Sequence, residues 1–191
     1  GRTKDRNIAH VADHLTAIGI DLKEVRIVAD DEAEIVAAVN ALRARYDHVF
    51  TTGGIGPTHD DITADSIARA FGVPIDVDPR AVAVMRPYYD AKGVELTEAR
   101  LRMARIPEGA ELIANSVSAA PGFRIGNVVV MAGVPTIMQM MLAEVTPGLR
   151  TGAKVYSRAI RVLYPEGEIA RMFAEHQIEF PDVIMGSYPF L

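Results

Sequence analysis

The feature of this sequence that most restricts its fold is a short β-branched and aromatic run, His48 to Thr52. It ends in glycines and passes within a few residues into a helical pattern, Ala64 to Phe71, stopped by Gly72. A strand that feeds a helix through a glycine-rich loop is the building unit of a sheet with helical crossovers, because parallel neighbours cannot be joined by a tight turn. The rest of the chain repeats that alternation. Ile8, Val11, Ala12, Leu15 and Ile18 keep helical spacing, with Asp5 placed as an N-cap and Gly19 where a left-handed C-terminal residue belongs. Ile20 to Val28 alternates as a strand does, and Asp31 with Glu34 forms a capping box ahead of Ile35, Val39, Leu42 and Tyr46.

After Gly72, Val73 to Val77 reads as a short strand and Asp78-Pro79 opens a helix that Pro87 should end or kink. A further helix is expected from Thr97 to Arg105, then an extended piece from Glu111 to Ala114. Phe123 to Ile125 and Val128 to Met131 form a hairpin turning at Gly126-Asn127. Pro135 to Val145 is a helix with Ile137, Met138, Met141 and Leu142 on its core face, and the cluster Met138, Met140 and Met141 reads as core filling. The expected fold class is therefore α/β: a three-layer αβα sandwich with a mainly parallel sheet over residues 1–149. From Pro147-Gly148 the pattern changes to strand (Ala153 to Leu163), helix (Glu166 to His176) and strand (Asp182 to Tyr188), a partial small α+β domain over residues 150–191.

Composition removes several function classes. A net charge of −5 offers no footprint for a nucleic-acid backbone, and the absence of cysteine rules out disulfides and thiolate metal sites, which fits a cytoplasmic protein. Any metal must be held by oxygen or imidazole. The uncharged stretch between Arg124 and Glu144 is broken by Gly126, Asn127, Gly133, Pro135 and Gln139, so no membrane span is expected. No signal peptide is visible, and the sequence opens at Gly1 without an initiator methionine.

Two loops are candidates for chemistry. In the first, Thr52, Gly53, Gly54, Gly56, Pro57 and Thr58 lead to Asp60, Asp61 and Thr63 at a helix start. Glycines there let several N–H groups converge on one anion, with Thr63 as N-cap, an Ile62–Ile67 staple, and Asp65 in the first turn. Asp60 and Asp61 oppose bare phosphate binding. A divalent cation such as Mg²⁺, held by one or two carboxylates together with substrate phosphates, would account for them. The alternative is that one aspartate caps a turn and the other is solvated. His59 is a loop histidine without a defined partner. The second loop, Ala132-Gly133-Val134-Pro135, follows an apolar strand and precedes a helix, so both loops belong at the carboxyl ends of strands, where ligands gather in open sheets; taken alone it is an ordinary strand-to-helix turn. Asn115 to Gly122 is a rim loop.

The run from Thr52 to Thr63 resembles the signature loop of the molybdopterin-binding (MoaB/Mog) domain family. Its form is that of the amino-terminal domain of competence/damage-inducible protein A (CinA). Asn115, Ala120-Pro121-Gly122-Phe123 and Gly133-Val134-Pro135 resemble the family's other two motifs, in the same order. The tail after Tyr164 resembles the small domain that follows in CinA-like and FAD-synthetase-associated relatives. The resemblance implies a first strand and a Gly-Asp-Glu segment ahead of Gly1, which this sequence does not include, and a capping proline where Ala64 stands. It further implies a pterin or nucleotide ligand (molybdopterin, or a nucleotide pyrophosphate such as ADP-ribose) and a divalent metal, Mg²⁺, Mn²⁺ or Co²⁺, at Asp60 and Asp61. Thr52, Gly53, Gly54, Gly56, Pro57, Thr58, Thr63, Asn115, Gly122, Gly133 and Pro135 would bind the ligand. The assembly it implies is a dimer or trimer, and the activity is hydrolysis of the pyrophosphate, adenylylation of molybdopterin, or binding without turnover.

Overall fold

Along the strand Val128–Met131 every side chain is buried, yet successive residues belong to different cores. Val128 and Val130 pack with Ile35, Val39 and Ile67, whereas Val129 and Met131 pack with Val11, Leu15, Met138 and Leu142. A strand points alternate side chains to opposite faces, so two cores on one strand mean a sheet covered by helices on both sides. The computed structural model describes residues 5–153, 156 and 158–188. Its compact units are Gly1–Val155 and Tyr156–Leu191.

In the larger unit the elements are α1 (Asn7–Ala17), α2 (Glu32–Arg43), β1 (Val49–Thr52), α3 (Thr63–Phe71), β2 (Ile75–Val77), α4 (Pro79–Ala91), α5 (Glu98–Leu101), β3 (Arg105–Pro107), β4 (Glu111–Ile113), β5 (Gly122–Ile125), β6 (Val128–Met131) and α6 (Pro135–Val145). The main sheet has the order β1-β6-β5-β4, with β1 and β6 parallel, and β2 and β3 form a separate antiparallel pair. The α/β sandwich stands as expected, with the parallel pairing concentrated at β1 and β6. Strands β6, β5 and β4 are mutually antiparallel, because a hairpin at Gly126-Asn127 can join only antiparallel neighbours.

Several local expectations are met by the hydrogen bonds that carry them. Asp31 accepts from the Glu34 amide at 3.1 Å and Gly72 ends α3 at φ +66°, while Asp5 accepts from the Ile8 amide at 2.9 Å from one residue ahead of the cap position, which Arg6 holds. Others are corrected. Residues 20–28 form no strand: Val25, Ile27 and Val28 are exposed, and no neighbouring strand pairs with them. Pro87 does not end α4, which runs on to Ala91. Pro87 and Ala83 are both exposed, so the carbonyl that loses its helical partner faces water. The helix expected from Thr97 to Arg105 is shorter, a single turn followed by a 3-10 turn at Arg102–Ala104, because Arg105 is drawn into pairing with Val77. Met140 is 43 % exposed and does not fill the core as Met138 and Met141 do.

Among its described residues the smaller unit shows one regular element, α7 (Glu166–Glu179). The strand expected from Ala153 to Leu163 falls partly outside the described residues. Its described residues, like 182–188, form no strand, and Ile160 and Ile184 are exposed with no sheet among the described residues of that unit for them to join.

Candidate functional site

The parallel register sets the site. Val49 lies opposite Val128 and Thr52 opposite Met131, so both strands end at one edge of the sheet. The loops that follow them are in contact: a Cβ added to Gly133 would stand 3.1 Å from the Gly53 Cα, so a side chain there would crowd the meeting of the two backbones. Gly122 is opposite Met131 in the register of β5 on β6, which brings the 115–121 loop to the same edge. Three segments separated in sequence therefore converge where the strand order places their ends.

The first loop is held by a defined set of bonds. The Gly53 amide donates to the Met131 carbonyl at 2.9 Å, and the Thr63 amide donates to the Gly54 carbonyl at 2.9 Å. Thr63 is therefore the first residue of α3. Ile62 occupies the cap position and supplies no side-chain bond, which corrects the expectation that Thr63 caps the helix. The Thr63 hydroxyl instead packs against the Cα of Gly54, which is at φ +68°. Ile62 and Ile67 join the same apolar cluster.

At the far end, the Asp61 amide donates to the Thr58 carbonyl at 3.2 Å. The Asp61 Oδ2 accepts from the Thr58 amide at 2.9 Å and from the Thr58 hydroxyl at 2.6 Å. Asp61 thus folds back over Gly56 and closes the loop, while Asp60 is exposed. The nearby Thr58 side chain, whose hydroxyl proton is bonded to Asp61, and then the Asp60 amide hold the Asp60 carboxyl below the usual aspartate range, against an opposing effect of burial. His59 is exposed beside them.

What the loop leaves free matters most. Among the described residues, no hydrogen bond uses the N–H of Gly54, Ile55 or Gly56, nor those of Ala64 and Asp65 in the first turn of α3. Three consecutive unspent amides beside a helix start are donors that an anion could take.

The other expected residues divide by role. Pro135 is the first residue of α6, as expected, and Thr52, Pro57 and Thr58 are exposed on the first loop. Asn115 is buried, and its polar atoms are spent on the rim loop: the side-chain NH₂ donates to the Ala120 carbonyl and Oδ1 accepts from the Val117 and Ser118 amides. Gly122 is also buried, and a Cβ there would stand 2.5 Å from the Val130 carbonyl oxygen, so close packing dictates its identity. Both shape the rim from beneath.

Two contributors were missed by sequence reading. Asn7 is 5 % exposed and donates from Nδ2 to the Gly133 carbonyl at 2.9 Å, tying α1 to the second loop. Its signal was present, since Asn7 shares an i, i+4 stripe with Val11 and Leu15, where a polar side chain needs a reason. Arg105 pairs with both carboxylate oxygens of Asp65 at 2.7 Å, steadying the first turn of α3, and no spacing in the sequence announces that pair.

Residues 1–151 match the family described as "Probable molybdopterin binding domain". The chain belongs to that family, the MoaB/Mog molybdopterin-binding domains. Within it the chain is CinA-like. It is 36 % identical over 197 residues to a "CinA-like protein" of Desulfosudis oleivorans, covering 97 % of this chain and 48 % of that protein. A Caldivirga maquilingensis protein is 37 % identical over 160 residues, 82 % of this chain and 62 % of its own length. The crystal structure of the protein CinA with unknown function from Thermoplasma acidophilum superposes with a TM-score of 0.70 at 33 % identity, covering 78 % of this chain and 89 % of that one. The chain thus spans about half to two thirds of these two relatives by sequence. Residues 154–191 match the family described as "FAD synthase, middle domain". In this molybdopterin-binding domain no helix among the described residues is long and apolar enough to cross a membrane.

Proposed function

We propose that the domain binds a nucleotide pyrophosphate at the loop after β1 and hydrolyses it with a divalent cation. The observation that carries this reading is the run of unspent amides at Gly54, Ile55 and Gly56 beside the start of α3, closed on its other side by Gly133. Each amide of such a nest can donate to a phosphate oxygen, and the helix start adds a favourable potential. The match of residues 154–191 to a domain of FAD synthase supports the same ligand class, since FAD is itself a nucleotide pyrophosphate.

The donor set suits a cation shared with substrate. Among the described residues there is no cluster of three or more acidic, histidine or cysteine side chains able to cage a metal. Asp60 and the Oδ1 of Asp61 are available to one that also takes phosphate oxygens, as Mg²⁺ commonly does. When bound, the cation would neutralise charge developing on the phosphoryl oxygens. The loop amides orient the pyrophosphate, Asp61 keeps the loop closed through Thr58, and Asp60 orients the attacking water. Hydrolysis adds water across the phosphoanhydride, so ADP-ribose yields AMP and ribose 5-phosphate.

The test is incubation of the protein with ADP-ribose and Mg²⁺, Mn²⁺ or Co²⁺ in turn, with chromatography for AMP. Release of AMP that requires the metal and Asp60 supports hydrolysis; absence of AMP under every metal refutes it. One observation favours a second reading, binding without turnover: the Asp61 Oδ2 is already satisfied within the loop. Metal-dependent ADP-ribose binding without product would select it. The family description makes molybdopterin the rival ligand, and formation of adenylylated pterin from molybdopterin and ATP would select a transferase.

A further inference from the structure

The Nε of Arg102 is buried and, among the described residues, has no acceptor. Its Nη groups are open to solvent, and the guanidinium forms no hydrogen bond or ion pair. Buried N–H groups and charges are paired in folded proteins, and an unpaired one destabilises the chain that carries it. This Nε borders a cavity of about 10 Å³, room for a single oxygen atom, between the first loop and the turn that precedes β3. Gly56 and Asp61 line it from the loop, Ala64 and Asp65 from the first turn of α3, and Phe123 from β5. None of its residues borders the free edge of β1.

The carboxylates around the cavity are engaged elsewhere. Arg105, the other arginine in its wall, takes both carboxylate oxygens of Asp65 at 2.7 Å. Asp61 turns its Oδ2 to the Thr58 amide and hydroxyl. Gly56, Ala64 and Asp65, which share the cavity with Arg102, are also residues whose amides no hydrogen bond uses. Such amides bring only partial positive charge to an anion, and Asp60 and Asp61 set full negative charges beside it. Between Thr52 and Thr63 there is no lysine or arginine to offset them. A full positive charge is what the loop lacks, and Arg102 stands unpaired at its wall.

On the reading of the loop after β1 as a pyrophosphate site, we propose that Arg102 is a phosphate-binding residue of that site, gripping the pyrophosphate beside Gly56 and the start of α3. Nε and one Nη form a planar edge that matches two oxygens of one phosphate. One oxygen takes the cavity beside Nε, and the second meets Nη at its mouth. A water in the cavity would satisfy the N–H alone, whereas a phosphate satisfies the N–H and neutralises the charge. Arg102 therefore destabilises the free protein and stabilises the complex.

The experiment is titration calorimetry of the full chain with Mg²⁺ and the methylene-bridged analogue of ADP-ribose, which is not hydrolysed, together with urea unfolding in the absence of ligand. Arg102→Met, which keeps an unbranched side chain without its charge, should bind at least about tenfold more weakly than the unaltered chain and unfold at the same or a higher urea concentration. Arg102→Lys keeps the charge and loses the planar edge, so its affinity should fall between the two. Arg86→Gln removes the same charge from an exposed position on α4 and should change neither readout. Unchanged affinity in Arg102→Met overturns the proposal and leaves the pyrophosphate site standing, whereas absence of binding by the unaltered chain overturns both. A lower urea midpoint in Arg102→Met, or its failure to fold, would mean that the side chain holds the free loop together through a water in the cavity, and overturns the proposal too.

Discussion

Gly54→Ala tests whether the first loop is held as described. The residue is at φ +68°, and an added Cβ would overlap the Thr63 Oγ1 and come within 2.9 Å of the Thr63 Cβ. The left-handed conformation costs a non-glycine residue roughly 1–2 kcal/mol, less about 0.4–1 kcal/mol returned by a stiffer unfolded chain. Forcing a methyl group against a buried side chain adds about 1–3 kcal/mol. The sum is about 1–5 kcal/mol, or a fall in Tm of about 2–20 °C for a chain of this size. Gly72→Ala is the matched control, at φ +66° with nothing within 4 Å of the added atom, and should lose only the conformational part, about 1 kcal/mol. Urea unfolding of both variants, and of Gly54→Ala combined with Thr63→Ala, separates the two costs. The combination should recover most of the steric part, while ADP-ribose binding falls in Gly54→Ala and stays intact in Gly72→Ala. Equal destabilisation of the two single variants would refute the packing of Thr63 on Gly54.

The two aspartates should separate by readout. Asp60→Asn leaves the unfolding midpoint unchanged and lowers AMP release at least about a hundredfold, whereas Asp61→Ala removes the acceptor of both exposed Thr58 donors and lowers stability by about 0.5–1.5 kcal/mol in urea titration. Ala119, the one described non-glycine residue at positive φ (59°), is strained in the rim loop, so Ala119→Gly should raise the unfolding free energy read from urea titration by up to about 1 kcal/mol. His14 is held below its usual pKa, first by burial and then by the nearby His10. Its neutral form is therefore favoured by folding: the stability it contributes is complete above about pH 6.5 and is lost as pH falls through its lower native value. His14→Gln should flatten the dependence of the urea midpoint on pH below that point.

Most of the fold was legible because its signals are local. Capping by Asp31, the stop at Gly72 and the hairpin at Gly126-Asn127 each depend on residues within one turn of each other. Meeting of the Gly53 and Gly133 loops was also readable, since both follow apolar strands that a parallel sheet places side by side. The failures share a cause. Residues 20–28, 158–163 and 182–188 carry strand-like patterns, but a strand needs an edge to pair with, and pairing is a property of neighbours that periodicity does not report. Within the site, the glycine loop was visible while the division of labour between Asp60 and Asp61 was not. It depends on which carboxylate the Thr58 amide and hydroxyl reach, a matter of loop geometry within three residues.

The most direct test of the account is a crystal structure of the protein with ADP-ribose and Mn²⁺. The pyrophosphate should lie at the start of α3, its oxygens within about 2.7–3.2 Å of the Gly54, Ile55 and Gly56 amide nitrogens, with the metal between it and Asp60. Phosphates found elsewhere, with those three amides still unbonded, would contradict it.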